Sequence, residues 1–265
     1  MACLALLALG AWFAASFVNT SQLTKLLSSS VQEITGRELK ITGPVSLNFF
    51  PSISVKTEQV SLSNVPWASN PEMLTVKQLE LDISIWPLLK GDVEISRIAL
   101  VGVDANLQTN KAGVGNWNLT PPVLNQNISS GQSVATPDSA SDSSFVTLKT
   151  LDVIDAQINY QDDNQAPKII LIPKLSLGSS EGRVMILMDA QYAKHSLNLK
   201  GKTSSLRNAY FAWNQSPLKM DLDLVLTLNG KSLAITGDID KTPQVLPQFN
   251  VSLISKSFDL APLIG

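Results

Sequence analysis

From residue 39 to near its end the chain repeats one pattern, an apolar side chain at every second position, broken every 6–12 residues by Gly, Pro, Asn or Asp. Leu79, Leu81, Ile83 and Ile85 alternate strictly, and Met220, Leu222 and Leu224 alternate almost purely, with Leu226 and Leu228 continuing the run. Successive side chains of a strand point to opposite faces, so each run predicts a strand with one apolar face, and the short breaks predict consecutive antiparallel neighbours. Further strands are expected around Leu39–Ile41, Val45–Phe49, Ile53–Val55, Val60–Leu62, Val93–Ile95, Ile98–Leu100 and Val103–Leu107. A second series follows at Ile169–Ile172, Leu175–Leu177, Val184–Met188, Ser196–Leu199, Leu233–Ile239 and Phe249–Leu253. Nothing after Gly36 has the length and period of a second long helix; only Pro87 to Gly91 reads as a helical turn, with Pro suited to its start and Gly to its exit. Helices therefore do not cover the apolar face. A second sheet, a curling of the sheet, or an apolar ligand must do so.

One strand pair occurs twice. Ile98, Leu100, Val103, Ala105 and Leu107 are matched by Leu151, Val153, Ala156, Ile158 and Tyr160, each 53 residues later, and Asn106 matches Asn159. Both copies hold one extra residue between the second and third apolar positions, as a bulge or tight bend requires. Between the copies, residues 125–144 (NQNISSGQSVATPDSASDSS) are rich in Ser, Asp and Gly and read as a flexible linker or surface loop. The chain divides accordingly into an apolar leader (1–18), an amphipathic helix (19–36), a first β region (37–124), the linker (125–144) and a second β region continuing the sheet (145–265).

The leader, MACLALLALGAWFAASFV, has no charged side chain. Its residues would span about 27 Å as a helix, close to the hydrocarbon thickness of a bilayer. It reads as a retained single-pass anchor or as a signal-like leader, with Ala14-Ala15-Ser16 as a weak cleavage site. Behind it, Leu23, Leu26, Leu27, Val31 and Ile34 recur at helical spacing. Asn19, Thr20 or Ser21 can cap the start of this helix, and Gly36 can end it.

Chemistry is sparse. The formal net charge of -2 offers no basic field for nucleic acid. One histidine, His195, and one cysteine, Cys3, exclude zinc sites built from those ligands and any intrachain disulfide. Neither a nucleophile elbow nor a Gly-rich phosphate loop is found. Asp162-Asp163 reads as a solvated hairpin loop. Charged residues make up 16% of the chain, against about a quarter in ordinary soluble domains, so much apolar surface must be sheltered. The reading is of a protein that is not an enzyme and carries no cofactor and no metal.

Several segments together resemble the AsmA family. VQEITGRELKITGPV (31–45) is similar to the family's opening, a helix ending in a Thr-Gly-basic motif before the first hairpin. LNFFP (47–51), VSLSNVP (60–66) and Pro71-Glu72 fit the next strands and loop. IWPLLKGDVEISRIALV (85–101) is the most specific match, and Gly115-Asn116-Trp117 closes it; SFDLAPLI (257–264) looks like a segment that recurs later in the family. The resemblance implies a bacterial inner-membrane protein, single-pass, with its body in the periplasm. It also implies a chorein-type fold, a long curled antiparallel sheet forming an open apolar groove. Phospholipid transport between inner and outer membranes and outer-membrane assembly would be its function. Its partners would be phospholipid acyl chains, the inner membrane and envelope proteins at the far end, and no nucleic acid. The expected groove lining is Leu79, Leu81, Ile83, Ile85, Val93, Ile95, Leu222, Leu224, Leu226 and Leu228. Periodicity alone favours the core of a two-sheet sandwich, and it is the resemblance that turns the reading to a groove; a structural β-scaffold that binds envelope proteins without carrying lipid is the alternative function.

Overall fold

A computed structural model describes residues 20–49, 52–88, 90, 94–119, 147–163, 165–180, 182–204, 217–243 and 245–255. The expected anchor (1–18), the linker (125–144), Val93 and the 257–264 segment lie outside these residues. Among the described residues no helix is long and apolar enough to cross a membrane.

Helix α1 (Thr20–Thr35) ends where the sequence places its stop. The Gly36 N–H bonds the Gln32 carbonyl at 2.8 Å and Gly36 takes a left-handed φ of 69°, the conformation glycine adopts most cheaply at a helix exit. Twelve strands follow: β1 (Leu39–Ile41), β2 (Val45–Asn48), β3 (Ile53–Ser63), β4 (Glu72–Ile83), β5 (Glu94–Thr109), β6 (Thr147–Asp162), β7 (Lys168–Ser180), β8 (Arg183–Tyr192), β9 (His195–Ser204), β10 (Leu218–Leu228), β11 (Lys231–Lys241) and β12 (Gln248–Ile254). All belong to one sheet in nearly sequential order, with β1 and β2 sharing the outer side of β3. The sheet is open, with β1 and β2 at one edge and β12 at the other. Among the described residues, substantial packing runs between neighbouring strands and between α1 and β1. No second sheet lies across the apolar face among the described residues, so the sandwich is excluded there.

Three expectations are corrected. The sheet is not wholly antiparallel: β5 and β6 pair in parallel, in the register Ile98↔Leu151, Leu100↔Val153 and Asn106↔Asn159. A parallel pair needs a long crossover rather than a tight turn, and residues 110–146 supply the length. Ile85 does not extend the β4 row, because the helical turn Ile85–Leu88 begins there. Segments read as separate strands are single long ones: Ile98–Leu100 and Val103–Leu107 both lie in β5, and Ile169–Ile172 and Leu175–Leu177 both lie in β7.

The breaks that made those strands look separate form a crease. Gln59 (φ 53°), Gly102 (φ 66°) and Asp155 (φ 54°) are left-handed. The registers set Gln59 opposite Lys77, Lys77 opposite Gly102, Gly102 beside Asp155 and Asp155 opposite Pro173. At the outer edge the same line separates β1 from β2, where the Thr42 N–H bonds the Gln59 carbonyl at 3.1 Å. Along each strand the line shifts the apolar pattern by one residue. Val76 and Leu79, Leu100 and Val103, Val153 and Ala156, and Ile172 and Leu175 are three apart, yet all join one cluster. The buried members, Val60, Val76, Val103, Val153 and Ala156, sit along this line. In a single layer such burial requires the two halves of each strand to bend towards the same side, the effect of an extra left-handed residue in a strand.

The apolar face as candidate functional site

The apolar side chains align across the sheet as well as along each strand. Following the registers from the β2 edge, one transverse row runs Leu47, Val55, Leu81, Ile98, Leu151, Leu177, Ile186, Gly201, Leu224, Ile235 and Leu253. The neighbouring row runs Val45, Thr57, Leu79, Leu100, Val153, Leu175, Met188, Leu199, Leu226 and Leu233. Neither row contains a charged side chain. Leu81 and Leu224, expected to line two separate parts of a groove, lie in one row, and Leu79 and Leu226 lie in the other. Ile83 pairs with Ile53 and Ile95 at one margin of the face, and Leu222 pairs with Thr203 and Gly237. Leu228 pairs with Leu197 and is buried, whereas Leu79, Leu81, Ile83, Ile95, Leu222, Leu224 and Leu226 are half-buried. Ile85 sits in the helical turn beyond the row.

Sequence reading missed the crease cluster around Val60, Val76, Val103, Val153 and Ala156. The signal was present, a three-residue step between apolar positions recurring in strand after strand, but it reads as a break until the strands are aligned. Glycine shapes the far part of the face. A Cβ on Gly201 would lie 2.1 Å from the Asp223 carbonyl oxygen, and one on Gly237 would lie 2.1 Å from that of Asn250, so only glycine allows this approach between strands.

The opposite face carries the charged side chains, with Ile154, Met185 and Leu187 exposed among them. Lys56 meets Glu80 at 2.9 Å, Arg97 meets Asp152 at 3.0 Å and Lys149 meets Glu94 at 2.8 Å, all between neighbouring strands. The Ser176 hydroxyl donates to Asp152 at 2.8 Å, and this bond, with Arg97, holds the Asp152 carboxyl below its ordinary value against the opposing effect of burial. Glu94 is lowered in the same way by Lys149 and by the Ser84 hydroxyl. The Arg97 guanidinium is raised by its bond to Asp152. An apolar face backed by a charged one is the pattern of a sheet wetted on one side only.

The Gly-Asn-Trp motif clasps the upper end of β5. Asn116 is fully buried. Its Nδ2 donates to Asn64 Oδ1 at 2.9 Å and to the Asn106 carbonyl at 2.7 Å, and its Oδ1 accepts the Gln108 N–H at 2.9 Å. The Trp117 ring lies against Gly115, where a Cβ would come within 2.3 Å of it, and its centroid is 6.1 Å from that of Tyr160. These residues are structural. His195 opens β9, where Nδ1 lies 2.8 Å from Asn229 Nδ2 in the turn between β10 and β11. Asp162 accepts from the Thr109 hydroxyl, and the Asp163 N–H bonds the Thr109 carbonyl at 3.2 Å, which accounts for the acidic doublet. Among the described residues no three His, Cys, Asp or Glu side chains are grouped to hold a metal ion.

Comparison with curated proteins finds no match. The family model described as AsmA family matches residues 1–223 of the 265. With the opening helix, the Gly-Asn-Trp clasp and the first ten strands begun or completed inside that match, the chain belongs to the AsmA family.

Proposed function

We propose that the apolar face shelters phospholipid acyl chains on their way across the periplasm, between the inner and outer membranes of a Gram-negative envelope, and in this way serves outer-membrane assembly. Residues 1–18 would anchor the protein in the inner membrane with its body in the periplasm, and envelope proteins would meet its far end. The protein acts by binding and guiding, without a chemical step.

The observation that carries this reading is the pair of transverse rows. They contain no charge, run at right angles to the strands and have no second layer over them among the described residues. A sixteen-carbon chain kept from water is worth on the order of 10 kcal/mol, at about 0.8 kcal/mol per methylene, so its carrier must offer apolar cover without gaps. Strands spaced about 4.8 Å apart give the rows a length of roughly 50 Å, enough for acyl chains lying in line while headgroups stay at the open side. Family membership agrees with an envelope lipid or assembly role.

The test is native mass spectrometry of the gently extracted protein, alongside Leu81→Glu and Leu224→Glu, which place a charge at two distant points of one row. Wild type should retain phospholipid. Each variant should fold, by circular dichroism, and lose most of it. A folded wild type with no lipid, still able to bind envelope proteins, would establish the scaffold reading instead.

A further inference from the structure

Arg37, the basic member of the Thr-Gly-Arg motif that ends α1, is a half-buried cation without an acid partner among the described residues. Its Nη2 donates to the Asn116 carbonyl at 3.2 Å. Its Nε is buried and meets no acceptor. The neighbouring Glu38 pairs instead with Lys40, and Asp162, at the same end of the sheet, accepts from Thr109 and Gln165. Arg97, by contrast, has Asp152. A carbonyl occupies one of the five N–H donors of a guanidinium and neutralises none of its charge. Pinning the clasp to the helix exit explains the bond to Asn116, and a helix C-terminus favours a cation, but neither satisfies Nε. A dry donor without a partner is rare in a folded protein and marks a place where a further acceptor belongs.

The place is the margin of the apolar face. Leu39 and Ile41 pack on the crease cluster, and Glu38 still bonds Ser63 across the pair, which carries the alternation of β1 back to Arg37. Arg37 thus stands just past a third apolar row, which runs Leu39, Leu62, Leu74, Ala105, Ile158 and Ile170 and contains no charge. Leu39 opens that row at the edge of the sheet. Trp117, next in the chain to the bonded Asn116, is 45% exposed and tilts against Tyr160, an aromatic pair suited to a boundary between apolar surface and water. We propose that Arg37 holds the phosphate of a lipid whose acyl chain lies in this third row. A phosphodiester offers a guanidinium two free oxygens and a full negative charge, and so answers both the unpaired cation and the empty Nε. The inference rests on the reading of the face as an acyl-chain carrier, and adds where the headgroup is held and by what chemistry.

The test uses the full chain in mild detergent, loaded with an equimolar mixture of phosphatidylglycerol and diacylglycerol bearing the same acyl chains. Mass spectrometry reads the ratio retained. Wild type should favour the phospholipid about tenfold or more, the size of a hydrogen bond to a charged group. Arg37→Gln should still retain lipid but bring the ratio near one. Arg37→Lys, which keeps the charge and loses the planar fork, should fall between the two. A purely structural bond would, on removal, lower both lipids together and leave the ratio alone, and that outcome overturns the inference. If Arg37→Gln does not fold, the wild-type preference and its partial loss in Arg37→Lys still decide. Inorganic phosphate at the lipid's own concentration should leave the wild-type ratio unchanged; if it abolishes the preference, the site serves free phosphate and the headgroup assignment falls. Wild type that retains both lipids equally also overturns the headgroup site and leaves the acyl-chain carrier standing, whereas wild type that retains neither removes the carrier and the inference with it.

Discussion

Asn116 shows how a recognisable motif can serve the frame rather than the chemistry. Its side chain has no contact with water and satisfies three partners, two from β5 and one from the 64–71 loop. Asn116→Ala would strand the Gln108 N–H and two acceptors in a dry site, at a cost of about 2–4 kcal/mol in urea unfolding. A cost below about 1 kcal/mol would mean that water replaces the amide. The crease gives a pair of opposite expectations. Gln59 holds a left-handed conformation that a side chain adopts at a cost, so Gln59→Gly should stabilise by roughly 0.5–1 kcal/mol. Gly102 holds the same conformation with the Lys77 side chain packed against it, where a Cβ would approach within 2.5 Å, so Gly102→Val should destabilise by about 1–3 kcal/mol. Such positions are hard to find from sequence, because glutamine gives no hint of a positive φ, aspartate only a weak one, and Gly102 alone shows itself.

The parallel seam between β5 and β6 is the element whose direction sequence reading missed, although its register was visible as the 53-residue repeat. Neighbouring strands in parallel register meet the same layers of the sheet, so they come to carry similar residues; the likeness showed the register, and the direction depended on the connection at 110–146. Parallel pairing is slightly weaker per residue than antiparallel. Here side chains reinforce it along its whole length: Glu94 with Lys149, Arg97 with Asp152, Asn159 bonding Asp104 at 3.0 Å and Asn106 at 3.1 Å, and Thr109 with Asp162. Two of these acids, Glu94 and Asp152, are held below the ordinary carboxylate value in the folded chain. Folding therefore favours their ionised forms. The stabilisation is complete above the ordinary range of about 3.9–4.3 and is lost as pH falls through that range to the lowered folded values. Unfolding free energy should accordingly decline on acidification below about pH 5. Glu94→Gln/Asp152→Asn should be less stable at neutral pH and show a shallower decline, and an unchanged slope would place the acid-sensitive groups elsewhere. Because the Arg97 side chain is 43% exposed, a double-mutant cycle with Asp152 should give a coupling of only about 0.2–1 kcal/mol.

For the molecule as a whole, the β architecture was legible in the sequence, since period two states directly which side chains of one strand share a face, whereas the transverse rows emerge only from the registers. The sequence left the choice between sandwich and single layer open, because alternation is the same in both. The single layer has consequences of its own. With each strand packed mainly on its two neighbours, stability accumulates from one contact to the next, as in repeat proteins, and different parts of the sheet can open separately. The crease cluster concentrates buried apolar residues in β3 to β6, whereas β12 contributes no buried residue and ends in exposed Phe249, Leu253 and Ile254. Amide hydrogen exchange should therefore be slowest in β3 to β6 and rise towards β12, with unfolding that departs from two states. Adding phospholipid should slow exchange most in β8 to β11, where Leu199, Leu224 and Ile235 line the face but little else covers it. Lipid bound to the native state alone stabilises it by mass action, and the gain appears first where local opening was easiest. Uniform exchange along the sheet, with one cooperative transition unaffected by lipid, would mean that the face is closed by something else and that the single layer is not how the protein meets its surroundings.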